Sequence, residues 1–226
     1  MKNNLNFKNT VASILRSKGK YRFISELHDG AKVLDIGCGN ASVLAFKQVN
    51  PSIKYTGVDI GDYYQTEASK NMMDQYHIFD DNTFAIDIDT LDKDYDAVVS
   101  SHNIEHCSDP NNVLLAMLSR LKPGGKIYLS FPSSESAFFP SRLGTLNYYD
   151  DSTHKNDIPN YNNILEILES KKFNIIFKTK NYRPFFLWFV GMLIEPISNK
   201  RKTVMTGTWE YYGFESIIHA SKIQQD

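Results

Sequence analysis

The sequence predicts an α/β fold built on a doubly wound, mostly parallel sheet with helices on both faces. Apolar, strand-like runs alternate with helical segments over the first 131 residues, which is the pattern of β-α-β units. One run ends in the glycine turn Gly37-Cys38-Gly39, and others end in acidic residues. Parallel sheets bind ligands at the carboxyl ends of their strands, so these residues predict a binding site there.

Length and composition predict one intracellular domain. The 226 residues are 42% hydrophobic and 23% charged, as in ordinary globular proteins. A net charge of −1 gives no electrostatic reason to expect a nucleic-acid partner. Two cysteines form no disulfide framework, and the polar N-terminal stretch lacks a secretion signal, so a cytoplasmic location is expected. The chain is expected to be a monomer or a homodimer. No apolar run reaches the roughly 18 residues that stable membrane insertion requires.

The predicted elements follow one another in the order that such a sheet requires. Apolar residues from Phe7 to Leu27 face one side of a helix. Asp109 followed by Pro110 predicts the start of another helix, which Pro123-Gly124-Gly125 ends. The predicted strands are Lys32 to the turn at Gly39, Lys54–Asp59, Thr83–Ile86, Tyr95–Ser101 and Lys126–Phe131, with a helix from Ser42 to Gln48 after the first.

The turn at Gly37 and Gly39 is predicted to bind a ligand. Gly37 can adopt a backbone conformation barred to other residues, and Gly39 lets the backbone approach a bound molecule. Dinucleotide-binding turns place a third glycine where this chain has Ser42, and Asp35 would repel a pyrophosphate. A cationic group, such as the amino group of a methionine portion, suits Asp35 better.

Two further acids follow predicted strands. Asp59 lies twenty residues after Gly39, the separation at which a carboxylate meets ribose hydroxyls in a β-α-β unit. It could instead cap a helix, although Asp62 is better placed for that role. Asp87 follows the third predicted strand, where it could accept a hydrogen bond from an adenine amino group or lie in solvent.

Taken together, these segments resemble the class I S-adenosylmethionine-dependent methyltransferases over residues 30–132. The matching pieces are Asp35-Ile36-Gly37-Cys38-Gly39, Asp59, Asp87, His102-Asn103-Ile104-Glu105-His106 with Asp109-Pro110, and Leu121-Lys122-Pro123-Gly124-Gly125. The resemblance implies a Rossmann-like sheet of seven strands with the last antiparallel, the last two at about Phe173–Thr179 and Phe214–Ser221. It also implies S-adenosylmethionine as the cofactor.

The resemblance also implies which residues contact that cofactor. The turn would lie under the methionine portion, with Asp35 near its amino group, Asp59 on the ribose and Asp87 on the adenine. The segment from Ser101 to Asn103 would line the sulfonium side. The implied cofactor contacts are Asp35, Gly37, Cys38, Gly39, Asp59, Ile60, Asp87, Ser101, His102 and Asn103.

A narrower resemblance concerns the acceptor. The segment from Asn147 to His154 is similar to a D-x-T-H segment of methyltransferases associated with surface-glycan assembly. It implies a small polar acceptor, such as a hydroxyl or phosphate oxygen of a sugar or nucleotide-linked sugar. Methylation of another small metabolite, at oxygen or nitrogen, is the alternative.

His154 is predicted to be the general base for such an acceptor. A hydroxyl must lose its proton as it attacks, and an imidazole with an ordinary pKa of about 6.5 can accept it. Asp150 or Asp151 would orient the ring, although His154 could instead bind substrate or cap the helix that begins near Asn160. The acceptor pocket is predicted to contain Arg142, Tyr148, Tyr149 and His106, with Arg142 suited to a phosphate.

Two other interpretations of the sequence remain. His102 to His106 also spells H-x-x-E-H, a zinc-hydrolase pattern that requires both histidines on one helix. Asp150, Asp151 and His154 include residue types that bind metals, but their spacing demands none, so no metal is predicted. A degenerate fold acting as a non-catalytic partner subunit is the second alternative.

The domain is predicted to have three parts. Residues 1–29 form an N-terminal helical segment, 30–132 the cofactor-binding half, and 133–226 the acceptor-side half. The last part holds an apolar insertion at about 182–207 with the run Phe185–Ile194, followed by the basic cluster Lys200-Arg201-Lys202. This insertion could be a buried helix over the acceptor site, a dimer contact or a membrane-surface patch. We expect burial, a solvated loop for the basic cluster and no binding to liposomes.

Overall fold

A seven-stranded sheet forms the centre of the molecule, in a computed structural model that describes residues 15–39 and 41–224. The strand order is β3-β2-β1-β4-β5-β7-β6, and β7 runs antiparallel to both of its neighbours while the others are parallel. The predicted sheet, with its last strand antiparallel, is therefore confirmed. The strands are β1 (Lys32–Ile36), β2 (Lys54–Asp59), β3 (Gln75–Ile78), β4 (Tyr95–Ser101), β5 (Leu121–Pro132), β6 (Phe173–Thr179) and β7 (Glu215–Lys222).

Helices connect these strands, and polar caps fix where two of them begin. Asp109 accepts a hydrogen bond from the Asn112 amide at 3.0 Å, as the sequence predicted. Asn160 accepts from two amides of the helix that follows it, and so holds the capping role that the sequence had considered for His154. The helices are α1 (Lys20–Ser25), α2 (Ser42–Val49), α3 (Glu67–Lys70), α4 (Phe84–Ile88), α5 (Pro110–Arg120), α6 (Tyr161–Ser170), α7 (Phe185–Arg201) and α8 (Thr208–Tyr212). Short 3₁₀ turns lie at Ile104–His106, Ser134–Phe138 and Tyr148–Asp150.

The sheet is buried on both faces. Adjacent residues of one strand, such as Val33 and Leu34 in β1, belong to two different apolar clusters. Val98 and Val99 in β4 divide between the same two clusters. Because successive side chains of a strand point to opposite faces, this division shows that each face has its own packed core.

The third strand lies earlier than predicted. Residues Thr83–Ile86 are not a strand, because Phe84 and Ile88 pack inward at helical spacing in α4 while Ile86 is 68% exposed. The strand is Gln75–Ile78 at the edge of the sheet, where both end residues are exposed. An edge strand buries little apolar surface, so its sequence lacks the apolar run that marks β1 and β4.

The predicted N-terminal helix is interrupted. The chain bends over residues 16–19, and α1 begins only after Gly19, whose amide donates to the Arg16 carbonyl at 2.8 Å. Phe23 and Ile24 of α1 are buried, as the apolar spacing predicted. The part of that predicted helix from residue 7 to 14 lies outside the described part of the chain.

The apolar insertion is the largest departure from expectation. Residues Phe185–Arg201 form the helix α7, but only Gly191 and Ser198 of it are buried, so the predicted burial is wrong. The basic cluster is not a loop either, because Lys200 and Arg201 form the last turn of α7 and Lys202 follows as its C-cap. Among the described residues, no helix combines the length and apolar character needed to cross a bilayer.

Candidate functional site

The glycine turn after β1 packs tightly against the segment that follows β4. Gly37 has a φ of +77°, and its amide donates to the Val58 carbonyl at the end of β2 at 2.9 Å. A Cβ on Gly37 would lie 2.5 Å from Oδ1 of Asn103. Glycine is required here for its backbone angle and for this close approach.

Asp59 at the end of β2 binds the turn and caps no helix. Its Oδ2 accepts a hydrogen bond from the Gly39 amide at 2.9 Å, and its Oδ1 accepts from the Ile60 amide at 2.8 Å. Burial raises the pKa of Asp59, while these two hydrogen bonds oppose the rise. Thr66 caps the next helix, α3, and Asp62 instead pairs with Lys70. The carboxylate of Asp59 is therefore held beside the turn.

Asp35 is buried at the end of β1. Its Oδ2 accepts hydrogen bonds from the Tyr55 hydroxyl at 2.5 Å and from the Ser42 hydroxyl at 2.9 Å. Burial raises the pKa of Asp35, and the Tyr55 bond and the charge of Lys20 partly offset that rise. Ser42 thus bonds to the acid at a position where dinucleotide-binding turns have glycine.

A cavity of about 150 Å³ opens at the end of β4. His102 lies in its wall with a φ of +52°, between the carboxylates of Glu105 at 3.2 Å and Glu215 at 3.3 Å. Burial lowers the pKa of His102, but the two carboxylates outweigh it and raise the pKa to about 9. The lining residues are Arg16, Gly19, Lys20, Tyr21, Ser101, His102, Tyr128, Trp209 and Glu215.

The cavity wall also contains residues that the sequence did not single out. Arg16 pairs with Glu215, and burial would raise the pKa of Glu215 but the charges of Arg16 and His102 hold it at about 2. Trp209 of α8 lies 5.2 Å from the His102 ring, centroid to centroid, and 4.6 Å from that of Phe214. The one available signal was the acidic residue Glu215 at the start of the last strand.

His154 is held in one orientation by its loop. Its Nδ1 lies 2.7 Å from the Tyr148 carbonyl, and because a carbonyl only accepts, Nδ1 carries the proton and Nε2 keeps its lone pair. The ring stacks on Tyr148 at 4.1 Å and lies 4.8 Å from His106, between ring centroids. Burial lowers the pKa of His154 below its ordinary value, which favours the neutral form of the ring.

The two acids near His154 differ in role. Oδ2 of Asp151 lies 4.0 Å from Nε2 of His154, within ion-pair range but too far for a hydrogen bond. The Asp150 carboxylate accepts hydrogen bonds from the backbone amides of Arg142, Leu146 and Asn147. Asp150 therefore holds the loop in shape, and only Asp151 is placed to act on the histidine.

A divalent cation could be held beside His154. One ligand atom from each of Glu105, His106 and His154 lies within 4.8 Å of the others. Glu105 is buried and its Oε2 has no hydrogen-bond partner. The sequence had considered Asp150 and Asp151 instead. The zinc-hydrolase pattern is not formed, because the only helical piece between His102 and His106 is the 3₁₀ turn Ile104–His106.

Two residues predicted for the acceptor pocket lie elsewhere. Arg142 is 3% exposed and donates to both oxygens of Glu195, at 2.8 and 2.6 Å, so it cannot bind a phosphate. Tyr149 is 70% exposed, whereas Tyr148 is buried and stacks on His154. His106 does approach His154, and its Nδ1 contacts the Thr153 hydroxyl at 3.0 Å.

The predicted cofactor residues gather at the carboxyl ends of β1, β2 and β4, with one exception. Cys38 is buried in the turn, where burial raises the pKa of its thiol, and Ser101 bonds to Ser130 at 3.0 Å. Asp87 is the exception, because it lies within α4 and accepts a hydrogen bond from Thr83. The acids that follow β3 are Asp80 and Asp81.

Known proteins are similar to this chain in sequence or in fold. Residues 11–176 match the family described as "Methyltransferase domain". The ubiquinone biosynthesis O-methyltransferase of Idiomarina loihiensis is 32% identical over 103 residues, 45% of this chain and 42% of that enzyme. A SAM-dependent methyltransferase from Archaeoglobus fulgidus superposes with a TM-score of 0.53 at 23% identity, over 89% of this chain and 90% of that one. A chain from the complex of the Haloferax volcanii Trm112 methyltransferase activator with a methyltransferase superposes with a TM-score of 0.62 at 13% identity, over 96% and 94%.

These similarities differ in what they establish. The matched stretch spans less than half the length of the Idiomarina enzyme, and the two structural similarities concern the fold alone. The family match, in contrast, covers most of the chain, including the glycine turn and the strand-end acids. The chain therefore belongs to the methyltransferase domain family.

Proposed function

We propose that the protein transfers the methyl group of S-adenosylmethionine to a hydroxyl oxygen of a small acceptor, with His154 as the general base. The observation that carries the proposal is the orientation of His154. Its Nδ1 proton is donated to the Tyr148 carbonyl, so Nε2 is the nitrogen that can accept a proton. Burial lowers the pKa of this ring, which favours an unprotonated Nε2.

The cofactor site fits the glycine turn and the acids beside it. S-adenosylmethionine supplies an electrophilic methyl group on a sulfonium, so the protein's work is binding, alignment and proton removal. Asp59 binds the ribose hydroxyls, because its carboxylate is already fixed beside Gly39. Asp35 attracts the cationic methionine end, and Asp80 takes the adenine-side role that the sequence gave to Asp87.

The proton of the acceptor moves to Nε2 of His154 as the hydroxyl attacks. The imidazolium that forms is stabilised by Asp151, whose carboxylate lies 4.0 Å away. The 3₁₀ turn Ile104–His106 follows the segment that touches Gly37, so it connects the cofactor turn to the His154 loop. General-base assistance of this kind contributes about 10²–10⁴-fold to a rate.

Oxygen as the acceptor atom is supported by the curated relatives, which are named ubiquinone biosynthesis O-methyltransferases. These relatives give no support to the glycan acceptor that the narrower resemblance implied. Three aromatic residues, Tyr21, Tyr128 and Trp209, line the cavity beside β4. Glu105 lies between this cavity and the proposed base, because it bonds to His102 in the cavity wall and lies beside His154. Aromatic walls favour a flat acceptor, so a hydroxyl on an aromatic ring is the acceptor that we propose.

A labelled-methyl assay tests the proposal. Purified protein is supplied with labelled S-adenosylmethionine and parallel panels of phenols, aromatic amines and nucleotide sugars. We expect label in a phenol, and the variant His154→Gln should lower that turnover by about 10²–10⁴-fold while calorimetric affinity for S-adenosylhomocysteine is unchanged.

The matched control is His28→Gln. His28 is an exposed histidine that precedes β1 and pairs with Asp96 of β4, so its replacement should leave turnover unchanged. Transfer to amines or sugars alone would contradict the proposed acceptor. Normal turnover of the His154→Gln variant would remove this residue from the base role.

A further inference from the structure

One side of α7 exposes a continuous row of large apolar side chains. The residues recur at helical spacing over most of its 17 residues, so they share one face. Their exposed fractions are 80% for Phe185, 54% for Phe186, 43% for Phe189, 38% for Met192, 61% for Leu193 and 49% for Ile197, and we term them the apolar face. Soluble proteins rarely expose an apolar row of this kind without a binding role.

The opposite side of α7 is fixed to the rest of the protein. A Cβ on Gly191 would lie 2.0 Å from the Gly207 carbonyl oxygen, so the helix backbone rests directly on the turn before α8. Glu195 bonds to both Arg142 and Tyr212, and Ser198 accepts a hydrogen bond from Arg142 at 2.7 Å. Rotating α7 to hide the apolar face would break these contacts, so the face stays exposed.

The charges around the apolar face have one sign. Lys200 and Arg201 lie in the last turn of α7, and Lys202 follows them. Glu195 is the only acidic residue between positions 181 and 207, and it is already paired with Arg142. A surface that complements this face must therefore be apolar with an adjoining layer of negative charge.

We propose that the apolar face of α7 binds the surface of a lipid bilayer that contains anionic lipids. The helix would lie in the interfacial plane, with its phenylalanines and Leu193 among the upper acyl chains and Lys200 and Arg201 against anionic headgroups. No described helix could cross a bilayer, so the contact is peripheral.

A second copy of the chain is a poorer occupant of the apolar face. Pairing two apolar faces would bring two basic clusters to one interface, and the 181–207 segment offers no unpaired carboxylate to neutralise them. Anionic headgroups supply that neutralisation. The proposal does not depend on the acceptor or on the role of His154.

Vesicle sedimentation of the full chain tests this proposal. Wild-type protein is mixed with sucrose-loaded vesicles of phosphatidylcholine alone or of equal parts phosphatidylcholine and phosphatidylglycerol. We expect sedimentation with the anionic vesicles and at least about tenfold weaker binding to the neutral ones. The triple variant Phe185→Ser, Phe189→Ser, Leu193→Ser should lose at least about tenfold in binding to both.

Two further variants make the test specific. Lys200→Gln with Arg201→Gln should remove most of the preference for anionic vesicles. The matched control Ile176→Ser, at a 55% exposed apolar residue of β6, should bind as the wild type does. Circular dichroism and S-adenosylhomocysteine binding establish that each variant is folded.

Three results would overturn the proposal. They are failure of the folded wild type to sediment with either vesicle, sedimentation that the triple variant leaves unchanged, and a dimer in light scattering that the triple variant abolishes. The last result would assign the apolar face to a second copy of the chain.

Discussion

The two halves of the molecule place their functional groups in different ways. In residues 30–132 the functional groups lie at the carboxyl ends of strands and in the turn after β1. The Asp59 carboxylate at the end of β2, for example, lies 2.9 Å from the Gly39 amide in that turn. In residues 133–226 they come from loops, and His154 depends on contacts such as that between Thr153 and His106, which are 47 residues apart. Sites of the first kind follow from spacing along the sequence, whereas sites of the second kind depend on tertiary packing.

The largest expected effect tests the strand-end half. Gly37→Ala should weaken S-adenosylhomocysteine binding by at least about 100-fold, because the new Cβ meets Asn103 at 2.5 Å and the φ of +77° is strained for alanine. Gly30→Ala is the matched control, since Gly30 has a φ of +74° but nothing within 4 Å of its Cβ. Calorimetry on both variants measures the difference. Equal affinities would mean that the turn does not contact the cofactor.

The loop half is tested by adding and removing metal ions. A cation bound by Glu105, His106 and His154 would occupy Nε2 of His154, which the proposed base needs free. Saturating Zn²⁺ should therefore lower turnover at least about tenfold, and prior treatment with a chelator should leave turnover unchanged. If chelation abolished activity and Mg²⁺ or Mn²⁺ restored it, the reaction would require a bound cation, which would contradict the role of His154 as a free base.

The pH dependence of turnover tests the same histidine without a mutation. Burial lowers the pKa of His154, so the basic form should predominate at pH 7 and be lost as the pH falls below the ordinary value. Turnover with saturating acceptor should be flat near neutrality, and below about pH 6.5 it should fall up to tenfold per unit. A limb centred above pH 7 would indicate a different base.

The packing beneath α7 is tested through stability. Gly191→Ala puts a Cβ 2.0 Å from the Gly207 carbonyl oxygen, which should cost about 1–3 kcal/mol of unfolding free energy. Alanine has the better helix propensity by about 1 kcal/mol, so a net loss means that the clash prevails. Urea unfolding measures it, with Met192→Ala on the exposed side as a control expected to stay within about 0.5 kcal/mol. A more stable Gly191→Ala variant would contradict the close approach of α7 to the turn.

The fold was largely predictable because buried parallel strands carry a strong signal. Lys54–Asp59 and Tyr95–Ser101 have the predicted bounds, since an apolar run between turn residues has few other interpretations. The antiparallel edge strand Phe173–Thr179 has the bounds that the family resemblance implied. The edge strand Gln75–Ile78 contains no such apolar run. The apolar residues of Thr83–Ile86 resemble a short strand in the sequence, although they lie in the helix α4.

The site was only partly predictable, because sequence does not reveal which neighbour a side chain meets. Arg142 was predicted to bind a phosphate, but in the structure it donates hydrogen bonds to Glu195. The apolar composition of α7 is the same whether a helix is buried or exposed, so only its packing could distinguish the two. Glu105 likewise offered no sign that it would lie beside His154, which is 49 residues further along the chain.

The smallest expected effect concerns the correction of the third strand. Asp80 follows β3 at the binding edge, whereas Asp87 lies in α4 and bonds to Thr83 at 2.5 Å. Replacing the carboxylate by a neutral amide weakens the hydrogen bond from the adenine by about 1 kcal/mol, so Asp80→Asn should weaken S-adenosylhomocysteine binding roughly fivefold. Asp87→Asn should change the affinity less than about twofold, because this acid stands away from the strand end. Calorimetry measures the affinity of both purified variants for S-adenosylhomocysteine. A larger loss of affinity in Asp87→Asn than in Asp80→Asn would mean that Asp87, and not Asp80, binds the adenine.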